Sequence, residues 1–106
     1  MPKYLIEASY TLEGTRGVLR EGGSKRRDAV KAAIKSVGGK VEAVYFAFGK
    51  SDVIVIMDAP DNVSAAACST VINASGAVNV RTTVLLTPED IDAAVKKTVK
   101  YRAPGE

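Results

Sequence analysis

Six residues of this chain carry polar chemistry that could meet on one surface: Glu7, Ser9, Tyr45, Asn79, Arg81 and Thr83. Arg81 supplies a planar cation suited to a carboxylate or carbonyl oxygen, and Tyr45 supplies a ring that packs on an apolar group. Glu7 and Arg81 equally suit an ion pair, half buried, that ties two strands together. Asp52 is the candidate catalytic base at the rim of such a site. The chain has no histidine, which removes Ser–His and Cys–His nucleophile activation and nearly all zinc sites. Acid–base work would therefore fall on Asp52, Glu7, a tyrosine or a lysine. The single cysteine, Cys68, stands among alanines in a helical pattern and reads as a small buried hydrophobe. Asp58, Asp61, Glu89, Asp90 and Asp92 fall at helix starts, where capping accounts for them. No metal and no cofactor is expected.

Other motifs resolve into structure. Gly49-Lys50-Ser51 has the ending of a phosphate-binding loop, but the first glycine should stand at position 44, which is Val44, and a strand pattern follows instead of a helix. The net charge of +3 is uneven: residues 1–50 hold ten Lys/Arg against five Asp/Glu, and the remainder five against seven. The excess comes mainly from Arg16, Arg20, Lys25, Arg26, Arg27, Lys31 and Lys35, the last five on one helical segment. No aromatic residue is interleaved with these charges, so the segment reads as a solvated helix face and nucleic acid is not an expected partner. No apolar run approaches a membrane span and no secretory leader pattern is present, so the expected setting is soluble and cytoplasmic.

The elements that must position these residues follow from periodicity. Lys3–Tyr10 alternates, with Tyr4, Ile6, Ala8 and Tyr10 on one side and Lys3, Leu5, Glu7 and Ser9 on the other, which reads as a strand. Thr11-Leu12-Glu13-Gly14 turns into a short helix interrupted by Gly22-Gly23, and Ser24 reads as the N-cap of a second helical run. In that run Val30, Ala33, Ile34 and Val37 make one apolar stripe, closed by Gly38-Gly39.

The stretch from Val41 to Asp61 organises the rest. Strands over 40–48 and 52–58 join at Gly49-Lys50-Ser51, with Gly49 expected at positive φ. The first of them offers Val44, Phe46 and Phe48 to one face and Val41, Ala43, Tyr45 and Ala47 to the other; the second offers Val53, Val55 and Met57 against Ile54 and Ile56. Strands apolar on both faces are buried on both faces. A helix of small residues over 62–75, a fourth strand over 77–86 and a terminal helix from Thr87-Pro88-Glu89-Asp90 follow. The terminal helix carries a stripe of Ile91, Ala94, Val95 and Val99, and residues 101–106 read as a frayed tail.

This order predicts a single α+β domain over 1–106, a ferredoxin-like βαββαβ fold with a C-terminal helix. Its antiparallel four-stranded sheet should run in spatial order 4-1-3-2, with both main helices on one side. Leu5, Ile54 and Ile56 would then lie on the uncovered side, which predicts two sheets packed face to face in a homodimer or higher even oligomer.

Several pieces in sequence order resemble the GYD family of small bacterial and archaeal proteins. They are Thr11-x-x-Gly14, Gly38-Gly39-Lys40, Phe48-Gly49-x-x-Asp52, Asp58-Ala59-Pro60-Asp61 and Gly76 to Thr83. The resemblance covers roughly residues 3 to 87 and implies the dimeric α/β-barrel superfamily, hence fold and dimerisation more than activity. One position departs: the motif that names the family places tyrosine where this chain has Ser51. The expected role is a homo-oligomer that binds a small, partly apolar molecule between its sheets, with no membrane partner. The alternatives are a cofactor-independent isomerase or oxygenase using Asp52, Tyr45 and Arg81, and an accessory protein acting through the basic helix face.

Overall fold

Alternating burial along the first strand sets the architecture. A computed structural model describes residues 1–106, and in it Tyr4, Ile6 and Ala8 are buried while Leu5, Glu7 and Ser9 are only half covered. The element order is β1 (Lys3–Tyr10), α1 (Leu12–Glu21), α2 (Gly23–Ser36), β2 (Lys40–Phe46), β3 (Val53–Asp58), α3 (Asn62–Ala74), β4 (Val78–Leu85) and α4 (Pro88–Ala94). The sheet runs β2-β3-β1-β4 with every neighbouring pair antiparallel. This is the expected 4-1-3-2 order, in an α+β fold. The longest helix, α2, has 14 residues, and no helix is long and apolar enough to cross a membrane.

The core lies on the helical side of the sheet. Tyr4, Ile6, Ala8, Val53, Val55 and Met57 from β1 and β3 pack with Ile34 of α2, Ala65 and Cys68 of α3 and Val78 of β4. Small residues on the inner side of α3 let it approach β4, where the Ser69 and Thr82 hydroxyls meet at 2.6 Å. The Tyr4 hydroxyl, on a side chain only 1% exposed, donates to Asn62 Oδ1 at 2.6 Å. A buried phenol thus keeps a partner at the start of α3. Burial pushes the Cys68 thiol above its ordinary value, as expected for a residue used as a hydrophobe.

Local chemistry explains several joints. Thr11 caps α1 by accepting the Gly14 N–H, and its own N–H donates to the Ala77 carbonyl at 3.0 Å. Gly14 rests so closely on Ala77 that an added Cβ would overlap that carbonyl oxygen. Thr-x-x-Gly is therefore a joint between α1 and the entrance to β4. Asp61 caps α3 through the Ser64 N–H, and Thr87 and Asp90 form a reciprocal capping box with Pro88 in the first turn.

Three expectations are corrected. The second helix begins at Gly23 behind Gly22, not behind Ser24. Gly22 takes φ 80° and returns its N–H to the Val18 carbonyl at 2.7 Å, so one residue both ends α1 and caps α2. Gly49 is not at positive φ; Gly22, Gly38, Gly76 and Gly105 are. Strand β2 ends at Phe46 and the Ala47 N–H closes the turn onto the Asp52 carbonyl at 2.8 Å, a longer loop that needs no left-handed residue. Finally, the β2–β3 register shifts between Val41 and Ala43, which turns Val41 to the side of Met57. Strict alternation had placed Val41 with Ala43 and Tyr45. A bulge adds one residue and reverses the facing beyond it.

Beyond β4 the chain leaves the body. Every residue from Leu86 to Arg102 is exposed, including Ile91, Val95 and Val99 of the expected stripe. Helix α4 stops at Ala94. The radius of gyration is 16.9 Å, against ~13 Å for a compact chain of this length.

Candidate functional site

The face of the sheet opposite α2 and α3 gathers all six polar candidates. The paired register forms rows across the strands. Tyr45, Ile54, Glu7 and Arg81 make one row; Ala43, Ile56, Leu5 and Thr83 make the next. Ser9 and Asn79 face each other above them. Leu5, Ile54 and Ile56 stand at the centre, half covered only by their neighbours' side chains, and Tyr45 is 69% exposed. The face is an apolar centre with a polar surround, borne on four rigid strands.

The expected Glu7–Arg81 ion pair is absent. The two residues are register partners, but the chain's four ion pairs include neither. Arg81 instead donates from Nη2 to Ser51 Oγ at 3.3 Å. Ser51 is 5% exposed, and its hydroxyl requires a partner there. A long arginine on the edge strand β4 reaches it across β1, which lies between β4 and β3. Position 51 is thus the support of Arg81, which nothing in the local sequence signals.

Asp52 sits beside this contact but is occupied. Its Oδ2 accepts the Tyr10 N–H at 2.9 Å, and its own N–H donates to the Ala8 carbonyl at 2.8 Å. The residue extends the β1–β3 pairing beyond Val53 and fastens the hairpin turn to the end of β1. That is a structural use of the carboxylate.

A second polar group on the open face was missed by reading the sequence. Lys3 Nζ lies 2.9 Å from Asp58 Oδ1 and 3.0 Å from Glu42 Oε2. Hydrogen bonding to Asp58, then to Glu42, raises the Lys3 amine above its ordinary range. The Lys3–Asp58 contact follows from the register, since these residues face each other across β1 and β3. Glu42 joins only because the bulge re-aims β2.

Two hollows of the chain lie on the helical side. An apolar cavity of about 90 Å³ sits between α2, α3 and the sheet, lined by Val30, Ile34, Val55, Ile72 and Val80 among others. A groove of about 410 Å³ opens beside it, between α1 and the C-terminal end of α3, with Arg20, Arg26, Glu13 and Glu21 on its walls. None of the six open-face residues lines either. The basic segment divides as well: Arg26 turns to Glu21 at 3.8 Å and Arg27 to Asp28 at 3.3 Å. Lys31 and Lys35 lie further along α2, beside Lys40 and Val41 at the start of β2.

A family model described as the GYD domain matches residues 4–95 of the 106-residue chain. The match runs from Tyr4 in β1 through α4 and includes all six polar candidates of the open face. No curated protein and no solved structure matches the chain.

Proposed function

The chain belongs to the GYD domain family, and on that footing we propose that it acts as a homodimer holding a small, partly apolar molecule between two facing sheets. The observation that carries this reading is the open face itself. Leu5, Ile54 and Ile56 form an apolar centre that no helix covers, in one field with Glu7, Ser9, Tyr45, Asn79, Arg81 and Thr83. Burying such a centre is worth roughly 25 cal/mol per Å² of apolar area, and a second copy supplies a face of the same chemistry. Within the enclosed space Arg81, steadied by Ser51, offers its remaining N–H groups to a carboxylate or carbonyl oxygen. Tyr45 supplies the surface for the apolar part.

The enzymatic alternative, a cofactor-independent isomerase or oxygenase, has less support, because the Asp52 carboxylate is engaged with the Tyr10 N–H. The accessory alternative is weakened by the pairing of Arg26 and Arg27 with acidic neighbours.

Native mass spectrometry of the untreated full-length protein tests the proposal. A dimer carrying an extra small mass is the expected result, and fragmentation of that mass identifies the ligand class. A dimer without an adduct, unchanged by incubation with small amphipathic carboxylates, would overturn ligand binding and leave the dimer. A monomer at all concentrations would overturn both.

A further inference from the structure

The acidic helix α4, which opens the exposed C-terminal arm, and a basic cleft on the far edge of the sheet are complementary, and we propose that α4 of each arm docks in the cleft of a second copy of this chain. This rests on the homodimer proposed above and assigns to it an arm exchange.

The arm is residues 86–102, exposed throughout; all three of its acids, Glu89, Asp90 and Asp92, stand in α4, and its four cations, Lys96, Lys97, Lys100 and Arg102, follow beyond it. Its helical turn carries Glu89 and Asp92, three residues apart and so on one face, beside an apolar stripe of Ile91 and Val95. The cleft, of about 420 Å³, is lined by Lys31, Lys35, Gly39, Lys40 and Val41. None of these three lysines takes part in any of the chain's four ion pairs, and neither Glu89 nor Asp92 does. Unpaired cations in a concave site and unpaired carboxylates on an unpartnered helix are therefore present in every copy.

Sheet geometry allows the two to meet between copies. Leu85, Lys3, Asp58 and Lys40 are successive register partners in one row across the sheet. The arm therefore leaves, and the cleft opens, at the same end of the sheet but at opposite edges. Three strand spacings, about 14 Å, separate those edges. When two sheets face each other about a two-fold axis parallel to the strands, the β4 edge of each comes beside the β2 edge of the other. The arm of each copy then enters the other's cleft, and one symmetry operation makes the contact twice. Glu89 and Asp92 meet Lys31, Lys35 and Lys40, while Ile91 and Val95 lose water against Val41.

Charge reversal in the full-length protein tests this, with the dimer dissociation constant read by analytical ultracentrifugation. Glu89→Lys with Asp92→Lys is expected to weaken the dimer about tenfold or more, as is Lys31→Glu with Lys35→Glu. Combining all four substitutions is expected to restore most of the affinity, which a folding defect would not do. Dimer affinity unaltered by either reversal would overturn the arm exchange and leave the face-to-face dimer intact. Weakening by both reversals without recovery in the combination would overturn the assignment of this cleft. A monomeric wild-type protein would remove the dimer reading and the exchange with it.

Discussion

The Arg81 guanidinium donates to the buried Ser51 hydroxyl at 3.3 Å, although its register partner in the sheet is Glu7. This contact ties the edge strand β4 to the β2–β3 turn across one end of the open face. It also leaves the Glu7 carboxylate without a cationic partner on a face with an apolar centre. The arginine is thereby held in place without being neutralised, a condition suited to an anion-receiving group.

Arg81→Ala is expected to leave the fold and the proposed dimer in place. Losing the Ser51 contact should cost ~1 kcal/mol in urea unfolding. Ligand retention in native mass spectrometry should fall by about tenfold or more. Dissociation of the dimer in place of ligand loss would assign Arg81 a packing role.

Gly14→Ala should destabilise the chain by about 1–3 kcal/mol, because the new methyl group overlaps the Ala77 carbonyl oxygen and must push α1 away from β4. Gly17, one turn further along α1, provides the control. The nearest atom to an added Cβ there is the end of the Arg20 side chain at 3.9 Å. Gly17→Ala should therefore be neutral or stabilising by up to ~1 kcal/mol. Equal effects of the two substitutions in urea titrations would refute the close contact.

The Lys3 cluster makes a pH prediction. Its folded-state amine lies above the ordinary 10.5 because Asp58 and Glu42 favour the charged form. Stability from these contacts is thus fully present below the unfolded value and is lost as pH rises through the higher, folded one. Thermal melting of the wild type and Lys3→Met should show an advantage for the wild type near neutral pH. That advantage should persist to about pH 10 and close above the unfolded value. An advantage lost already between about pH 6 and 8 would point to a different titrating group.

Cys68 should resist alkylation in the folded protein. It is 5% exposed and its thiol is pushed above the ordinary 9.0 by burial, so both access and the thiolate fraction are reduced. Iodoacetamide labelling in buffer should run on the order of a hundredfold slower than in urea, because it requires local opening. Similar rates in both conditions would mean that α3 is not seated on the sheet as described.

The sequence by itself determined what depends on neighbours along the chain. Alternation in Lys3–Tyr10 and Val53–Asp58 set which side chains of β1 and β3 are buried. The Thr87–Asp90 signals placed the start of α4, and two crossovers with one hairpin restricted the strand order to 4-1-3-2. That order, together with the alternation along each strand, put Glu7, Ser9, Asn79, Arg81, Thr83 and Tyr45 on one face. Tertiary structure decided what depends on register and reach. The bulge after Val41 moved Glu42 to Lys3, a one-residue shift that periodicity does not encode. Arg81 chose Ser51 over Glu7 because a buried hydroxyl needs a partner, and its burial is visible only once the turn is folded. The stripe of Ile91, Val95 and Val99 predicted a packed helix, yet the arm stands clear of its own sheet. An apolar pattern states that a face seeks cover, whereas the geometry of the fold determines whether the same chain can provide it.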